Sequence, residues 1–285
     1  MPVITCAFNC GTAPLLQMKL DLDPNRPNER AVLSYLQTGA PIEPDVANVL
    51  VKVLGAGDVV VDIGANIGFL TVLAALLVGP TGRVVAFEPD PGNVERLRAN
   101  LALNECVNVT IIEKAVTNQV GEVEFFLNSD TSDGNALWDP AQFPGNVKCL
   151  ATQKRITLPG TTLDAEWEQL RLPAPKVIKI DTEGAEQRVL EGMRGLLARE
   201  KPHFVITELH PFGLDKMGCS EASLRASIEG LGYASFGLTF AGALPRLIPA
   251  ETRIQSSSII NLLFSTPEWI GKYWRTAMID PRDPR

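Results

Sequence analysis

The stretch VVVDIGANIGFL, residues 59–70, decides how the rest of the chain is read. Three consecutive valines suit a strand buried on both faces. They run into an acid, Asp62, and a turn carrying Gly64 and Gly68, and an apolar run follows at once. Glycine tolerates positive φ and has no Cβ, so such a turn lets the backbone bend sharply and approach a ligand closely. The spacing is neither the G-x-G-x-x-G of dinucleotide binders nor a P-loop ending in G-K-S or G-K-T. An acid directly before the turn repels phosphate and welcomes an ammonium or sulfonium group.

Outward from that turn, strand-like and helix-like runs alternate, the pattern of a parallel sheet with crossover helices. DVVVDIG, RVVAFEP, VNVTIIEKAV, KVIKIDTEGAE and HFVITELH read as five successive strands. FLTVLAALLVG, stopped by GPTG, and DPGNVERLRANLALN, opened by Pro89, read as the first two helices. GEVEFFLN reads as an added strand, and residues 128–160, rich in Ser, Asp, Asn, Gly and Pro, as an inserted loop serving as an acceptor lid. Val189, Leu190, Met193, Leu196 and Leu197 line the helix after the fourth strand; Leu224, Ile228 and Leu231 line the one after the fifth. GYASFGL and SSIINLLFS lie too close for a full crossover helix, so the last pair is expected to be antiparallel. The expected fold is α/β, with seven principal strands and helices on both faces. Residues 1–57 form a mixed helical and irregular cap ending in an amphipathic helix, 58–266 the α/β domain, and 267–285 a tail frayed at its end.

An apolar fraction of 45% and a charged fraction of 21% are those of a soluble globular chain, against disorder and membrane classes. Lys and Arg total 26 against 33 Asp and Glu, with no long basic run, so no nucleic-acid partner is expected. The five cysteines are scattered without a C-x-x-C pair, which argues against a disulfide framework or zinc site and fits a reducing compartment. No signal-peptide pattern opens the chain and no apolar run is long enough to span a bilayer. A cytoplasmic protein with no membrane partner is expected. Leu15, Leu16 and Met18 are read either as a contact surface for a homodimer or as cover for the sheet.

Ligands of open α/β sheets sit beyond the carboxyl ends of the strands, where Asp62, Glu88, Asp181 and Glu208 fall. One such acid is explained as well by helix capping, but four at corresponding ends point to a ligand crevice. Glu88 suits the two hydroxyls of a ribose; its alternative is an N-terminal helix charge worth about 0.3–1 kcal/mol. Asn66 either adds an amide to the pocket or serves the turn's backbone. Asp181, Glu208 and His210 are the candidate general bases, and the same three are the ligand set for a divalent ion such as Mg2+, if one is used. No spacing requires that ion. Glu183 and Glu186 either join this site or favour the start of the next helix, the latter being the simpler reading for Glu186. Trp138 is read as an acceptor wall or as packing within its own domain; His203, Trp167, Trp269 and Trp274 are read as structural.

VVDIGANIG, FEPDPGN, NLALN, KIDTEGAE and FVITELHP together resemble the FkbM-type methyltransferases, over roughly residues 39–264. The glycine turn marks the superfamily, and KIDTEGAE at this distance from it is the more specific element. The resemblance implies a Rossmann-like class I methyltransferase fold with S-adenosylmethionine (SAM) as cofactor. The donor would lie over Asp62, Gly64, Asn66 and Gly68, its ribose on Glu88 and its adenine near Lys114 and Ala115. It further implies O-methylation of a small-molecule acceptor such as a sugar or polyketide. Two competing readings remain open. An NAD-dependent oxidoreductase would share fold and ribose acid but wants a middle glycine and a Tyr-x-x-x-Lys pair; a non-catalytic adenosine-binding module would keep the pocket without the chemistry.

Overall fold

The computed structural model describes residues 3–8, 16–37, 42–130, 134–144, 146–151, 154–239, 245–256 and 258–274. In chain order the strands are β1 (Val3–Phe8), β2 (Leu16–Asp21), β3 (Val59–Ile63), β4 (Arg83–Phe87), β5 (Val109–Ile112), β6 (Ala115–Val116), β7 (Gly121–Leu127), β8 (Lys154–Thr161), β9 (Val177–Ile180), β10 (Phe204–Leu209), β11 (Ala234–Gly237), β12 (Arg246–Ile248) and β13 (Ile260–Ser265). Eight of them form the main sheet in the order β12-β11-β13-β10-β9-β3-β4-β5. Neighbours among β5, β4, β3, β9 and β10 are parallel, and β13 runs antiparallel to both β10 and β11. The seven expected strands and the antiparallel last one are all present. The eighth, β12, is an addition on the edge beyond β11, too short to read from sequence.

Every residue of β3 and β9 is buried, as the unbroken apolar runs imply for central parallel strands. Successive side chains point to opposite faces, so Val60 joins one apolar layer while Val59, Val61 and Ile63 join the other. The first layer is covered by helices α1 (Pro27–Gln37), α2 (Pro44–Val53), α3 (Phe69–Val78) and α4 (Pro91–Leu103). Helices between Leu163 and Glu229 cover the second.

Two regions differ from expectation. Within residues 1–57, expected to be helical and irregular, β1 and β2 form an antiparallel hairpin in register from Val3 opposite Asp21 to Phe8 opposite Leu16. Its stability comes from docking on α4 rather than from any local sequence cue, since an isolated hairpin is marginal in water. Met18 and Leu20 are buried in the shared core, so this stretch covers the body of the same chain; Leu15 lies outside the described residues. Within residues 128–160, expected to be a loop, there are a helical turn at Pro140–Gln142, a short helix at Val147–Ala151 and most of β8. β8 pairs with β7 along its length and with β6 at Gly160 and Thr161, making a separate three-stranded sheet whose outer strand is the expected GEVEFFLN. Pro159 and Gly160 mask this strand in the sequence. The proline is tolerated because it pairs opposite Glu122, one residue before β6 joins.

Among the described residues no helix is long and apolar enough to cross a membrane. Cys6, Cys106, Cys149 and Cys219 are free thiols; Cys10 lies outside the described residues. A helix at Pro267–Tyr273 closes the described chain, and the expected fraying falls on residues outside it.

Candidate active site

The order β4-β3-β9-β10 sets Glu88, the glycine turn, Asp181 and Glu208 side by side at the carboxyl ends of neighbouring strands, at roughly 4.8 Å per strand. A cavity of about 270 Å³ opens there. Glu88, Asn93, Ala115 and Asn135 line it beyond β4, and Lys179, Asp181, Glu183 and Glu208 line it beyond β9 and β10.

The turn is stitched to β4 by the N–H groups of Gly64 and Ala65, both donating to the Phe87 carbonyl at 3.0 Å. Gly64 has φ 81°, and a Cβ there would stand 1.8 Å from the Asp181 carbonyl oxygen. The close approach that glycine permits is therefore first of all to the backbone leaving β9. Gly68, at φ 93°, makes room for Leu97 in the same way. Asn66 is left-handed at φ 51°, as Asn tolerates, and its Oδ1 is buried without a hydrogen-bond partner.

Asp62, expected beside the ligand, does not line the cavity. It is buried beneath the turn, where Oδ2 accepts from Thr71 Oγ1 at 2.5 Å and Oδ1 stands 3.6 Å from Lys179 Nζ. Glu88 does line the cavity. Its Oε2 accepts from the Asn66 N–H at 2.8 Å and its Oε1 from the Asp90 N–H at 3.0 Å. Burial outweighs these bonds and pushes its pKa up to about 7. The N-cap of α4 is Asp90, which accepts from the Gly92 N–H. Ala115 and Lys114 line the wall as expected, Lys114 paired with Glu166 at 2.7 Å.

One oxygen each of Asp181, Glu183 and Glu208 lies within 4.8 Å of the others. His210 is not part of this cluster or of the cavity lining. It is buried, with Nδ1 accepting from the Gly213 N–H at 2.8 Å to cap the following helix, and Nε2 lies 3.4 Å from Glu183 Oε2. Desolvation lowers its pKa, so the ring is neutral and directs its Nε2–H toward Glu183. The expected trio of Asp181, Glu208 and His210 is thus replaced by one in which His210 stands behind Glu183. A His-Pro pair at a strand end suits an N-cap, since Pro211 takes the first helical position. Trp138 packs against His210 and Phe212, and its Nε1 donates to the Glu183 carbonyl at 2.5 Å. It is packing rather than acceptor wall; Asn135 and Leu137 of the same insertion reach the cavity instead. Glu186 is fully buried and accepts from the N–H groups of Thr182 and Gly184, bracing the loop that carries Glu183. His203 stacks on Trp269, 3.4 Å between ring centres, away from the cavity.

Two charged residues that line the site were not singled out from the sequence. Lys179 is buried in β9 with Nζ 3.1 Å from Asp181 Oδ2 and 3.2 Å from the Gly64 carbonyl. Burial opposes its charge, but Asp181, Asp62 and Glu43 outweigh it and hold the ammonium well above the usual lysine range. A lysine between two isoleucines of a central strand was the available signal, because a buried lysine requires a partner. Glu43, from the N-terminal region, is the other; burial pushes its pKa up to about 7 against the pull of Lys179. Burial, then Asp181, Glu183, Glu186 and Glu43, likewise push Glu208 well above the usual carboxyl range, and its Oε2 is buried without a hydrogen-bond partner.

The trio of carboxylates is an all-oxygen set of the kind hard cations take. Lys179 already occupies Asp181, however, so a divalent ion would share a ligand with an ammonium 3.1 Å from that ligand's oxygen. The residues do not fit Mg2+. They do fit a polar ligand, with the unpartnered oxygens of Asn66 and Glu208 both on residues of the cavity wall.

The sequence pattern of the Methyltransferase FkbM domain matches residues 62–235. The hexuronic acid methyltransferase AglP of Haloferax volcanii is 30% identical over 194 residues, covering 66% of this chain and 72% of that protein. The methyltransferase sdnD of Sordaria araneosa is 28% identical over 175 residues, covering 52% of this chain and 63% of that protein. A crystal structure of a methyltransferase FkbM from Methylobacillus flagellatus aligns with a TM-score of 0.43 and 16% identity, over 73% of this chain and 43% of that one.

Proposed function

Because this chain belongs to the FkbM methyltransferase family, we propose that it transfers the methyl group of SAM to a hydroxyl of a small, sugar-like or polyketide-like acceptor. The observation that carries this reading is the cavity itself, with the two-glycine turn and Glu88 on one side and the carboxylates of Asp181, Glu183 and Glu208 on the other. The name of the Haloferax relative, with its hexuronic acid, is in line with a sugar-like acceptor.

When bound, SAM supplies an electrophilic methyl group on a positively charged sulfur. Glu88 accepts hydrogen bonds from the ribose hydroxyls, and Ala115 and Lys114 flank the adenine. The backbone from Gly64 to Gly68 and the Asn66 amide cradle the amino-acid end. Asp62 acts from below, bracing Thr71 and Lys179 rather than touching the donor. Asp181, Glu183 and Glu208 orient the acceptor oxygen for in-line attack and take up its proton, burial and then the surrounding acids raising the affinity of Glu208 for it. His210 positions Glu183. In this reading residues 58–266 are the catalytic domain, and the insertion within 128–160 covers the bound molecules through Asn135 and Leu137.

Calorimetry with SAM and with NAD tests the donor: SAM should bind, and binding of NAD alone would reject the reading. Mass spectrometry over a panel of hydroxylated metabolites should find a gain of one methyl group. That gain should persist in chelator, since Lys179 already engages Asp181 of the carboxylate trio.

A further inference from the structure

The glycine turn is held from behind by a side chain too deep to touch a ligand. Asn100 of α4 is fully buried. Its Nδ2 donates to the Ile67 carbonyl at 2.9 Å, and its Oδ1 accepts from the Asp21 N–H at 2.9 Å. A single amide thus joins the turn to β2. Ile67 falls inside the segment that matches the family, residues 62–235, and Asp21 outside it.

The Ile67 peptide is where such a hold has most effect. It is flanked by two left-handed residues, Asn66 at φ 51° and Gly68 at φ 93°, so neither a helix nor a strand ladder fixes its orientation. A buried carbonyl that loses its donor pays the desolvation cost, which drives the peptide to turn elsewhere. Asn66 and Ile67 both line the cavity, and the Asn66 N–H is the group that meets Glu88. Leu97, three residues before Asn100 on the same face of α4, fills the space beside Gly68. On the other side, Met18 and Leu20 of β2 are fully buried in the apolar layer that contains Ala65, Ile67 and Phe69. Undocking of β2 would remove the N–H that orients the Asn100 amide, and a loosened amide would release the turn.

We propose that Asn100 is a positioning residue for the methyl donor, coupling the docked N-terminal hairpin to the turn from Gly64 to Gly68. Donor and hairpin then strengthen each other's hold, because coupling between two sites is reciprocal. The inference rests on SAM being the donor.

The test combines calorimetry and hydrogen exchange on the full chain, with SAM and S-adenosylhomocysteine as probes. Asn100→Leu removes both bonds of the amide. Asn104→Ala is its control, since Asn104 bonds the N–H and carbonyl of Lys19 and loosens β2 without touching Ile67. Asn100→Leu should weaken both ligands about two- to tenfold, the worth of a hydrogen bond, and Asn104→Ala by less than about twofold, although both lower the denaturant midpoint. At short exchange times, where local opening governs, bound S-adenosylhomocysteine should slow exchange over residues 64–72 and also over 16–21 in the wild type. In Asn100→Leu the slowing should stay within 64–72. Exchange over 16–21 that ignores the ligand in the wild type overturns the inference and leaves the donor reading intact; this arm needs no variant and decides the matter should Asn100→Leu not fold. Coupling that survives in Asn100→Leu runs through packing and also overturns it, as does an equal loss of affinity in the two variants, which assigns Asn100 a merely structural role. Binding of neither ligand by the wild type rejects the donor reading and the inference together.

Discussion

Gly64 and Gly79 both have positive φ, yet their environments differ. A Cβ at Gly79 would meet nothing within 4 Å, whereas one at Gly64 would strike the Asp181 carbonyl. Gly79→Ala, at φ 65° and ψ −174°, should therefore cost about 1–3 kcal/mol for the backbone conformation alone. Gly64→Ala should cost clearly more, read from the denaturant midpoint, because two strands must separate; equal costs would mean that the turn yields easily. Glu88 binds two backbone N–H groups in addition to any ligand. Glu88→Gln keeps the shape and one acceptor but removes the charge, so SAM affinity should fall about 10- to 100-fold, the worth of a charged hydrogen bond. An unchanged dissociation constant would take the ribose role from Glu88.

Asn100 and Asn104 hold β2 by its backbone, and one side chain of α4, Arg96, ties the N-terminal hairpin to α1. Arg96 donates to the Asp21 carbonyl, stands 3.4 Å from Asp21 Oδ2, and meets Glu29 Oε2 at 3.0 Å. Glu29 is fully buried. Arg96→Ala would leave that carboxylate with only the Asp23 N–H and the half-exposed Arg26 at 3.7 Å, and losing the partner of a buried pair costs up to about 3–5 kcal/mol. Adding Glu29→Gln should recover much of the loss, and a double-mutant cycle by chemical denaturation measures it. No recovery would mean that packing of the arginine stem, rather than its charge, holds these elements.

Across the molecule, stability should depend on pH in an unusual sense for carboxyl groups. Burial raises Glu43, Glu88 and Glu186 to about 7 and Glu208 well above the usual range. A folded-state pKa above the unfolded one means that the folded state binds more protons. The associated stability is complete below the ordinary carboxyl pKa and is lost as pH rises through about 7. Thermal midpoints of the ligand-free protein should accordingly be higher at pH 5 than at pH 8. Glu186→Gln should shrink that fall by roughly 1–3 kcal/mol, because Glu186 is fully buried and lacks a partner for Oε2. A variant as pH-sensitive as the wild type would show that Glu186 does not titrate in this window.

The parallel sheet, its antiparallel last strand, the glycine turn and the row of acids at the strand ends were legible in the sequence. Each follows from local periodicity and from turn residues that act within a few positions. Which way those acids face was not. Asp62 turns under the loop to Thr71 and Lys179, His210 caps a helix, and Glu43 reaches the cavity from a helix start beyond the family segment. β8 and the hairpin formed despite weak local signals, through partners distant in the chain. A buried charge is placed by the counter-charge and hydrogen bonds that offset its desolvation, as Glu29 and Arg96 show across 67 positions. Only the folded chain brings such partners together, so the sequence by itself determined where the crevice lies, and tertiary packing decided which side chains line it.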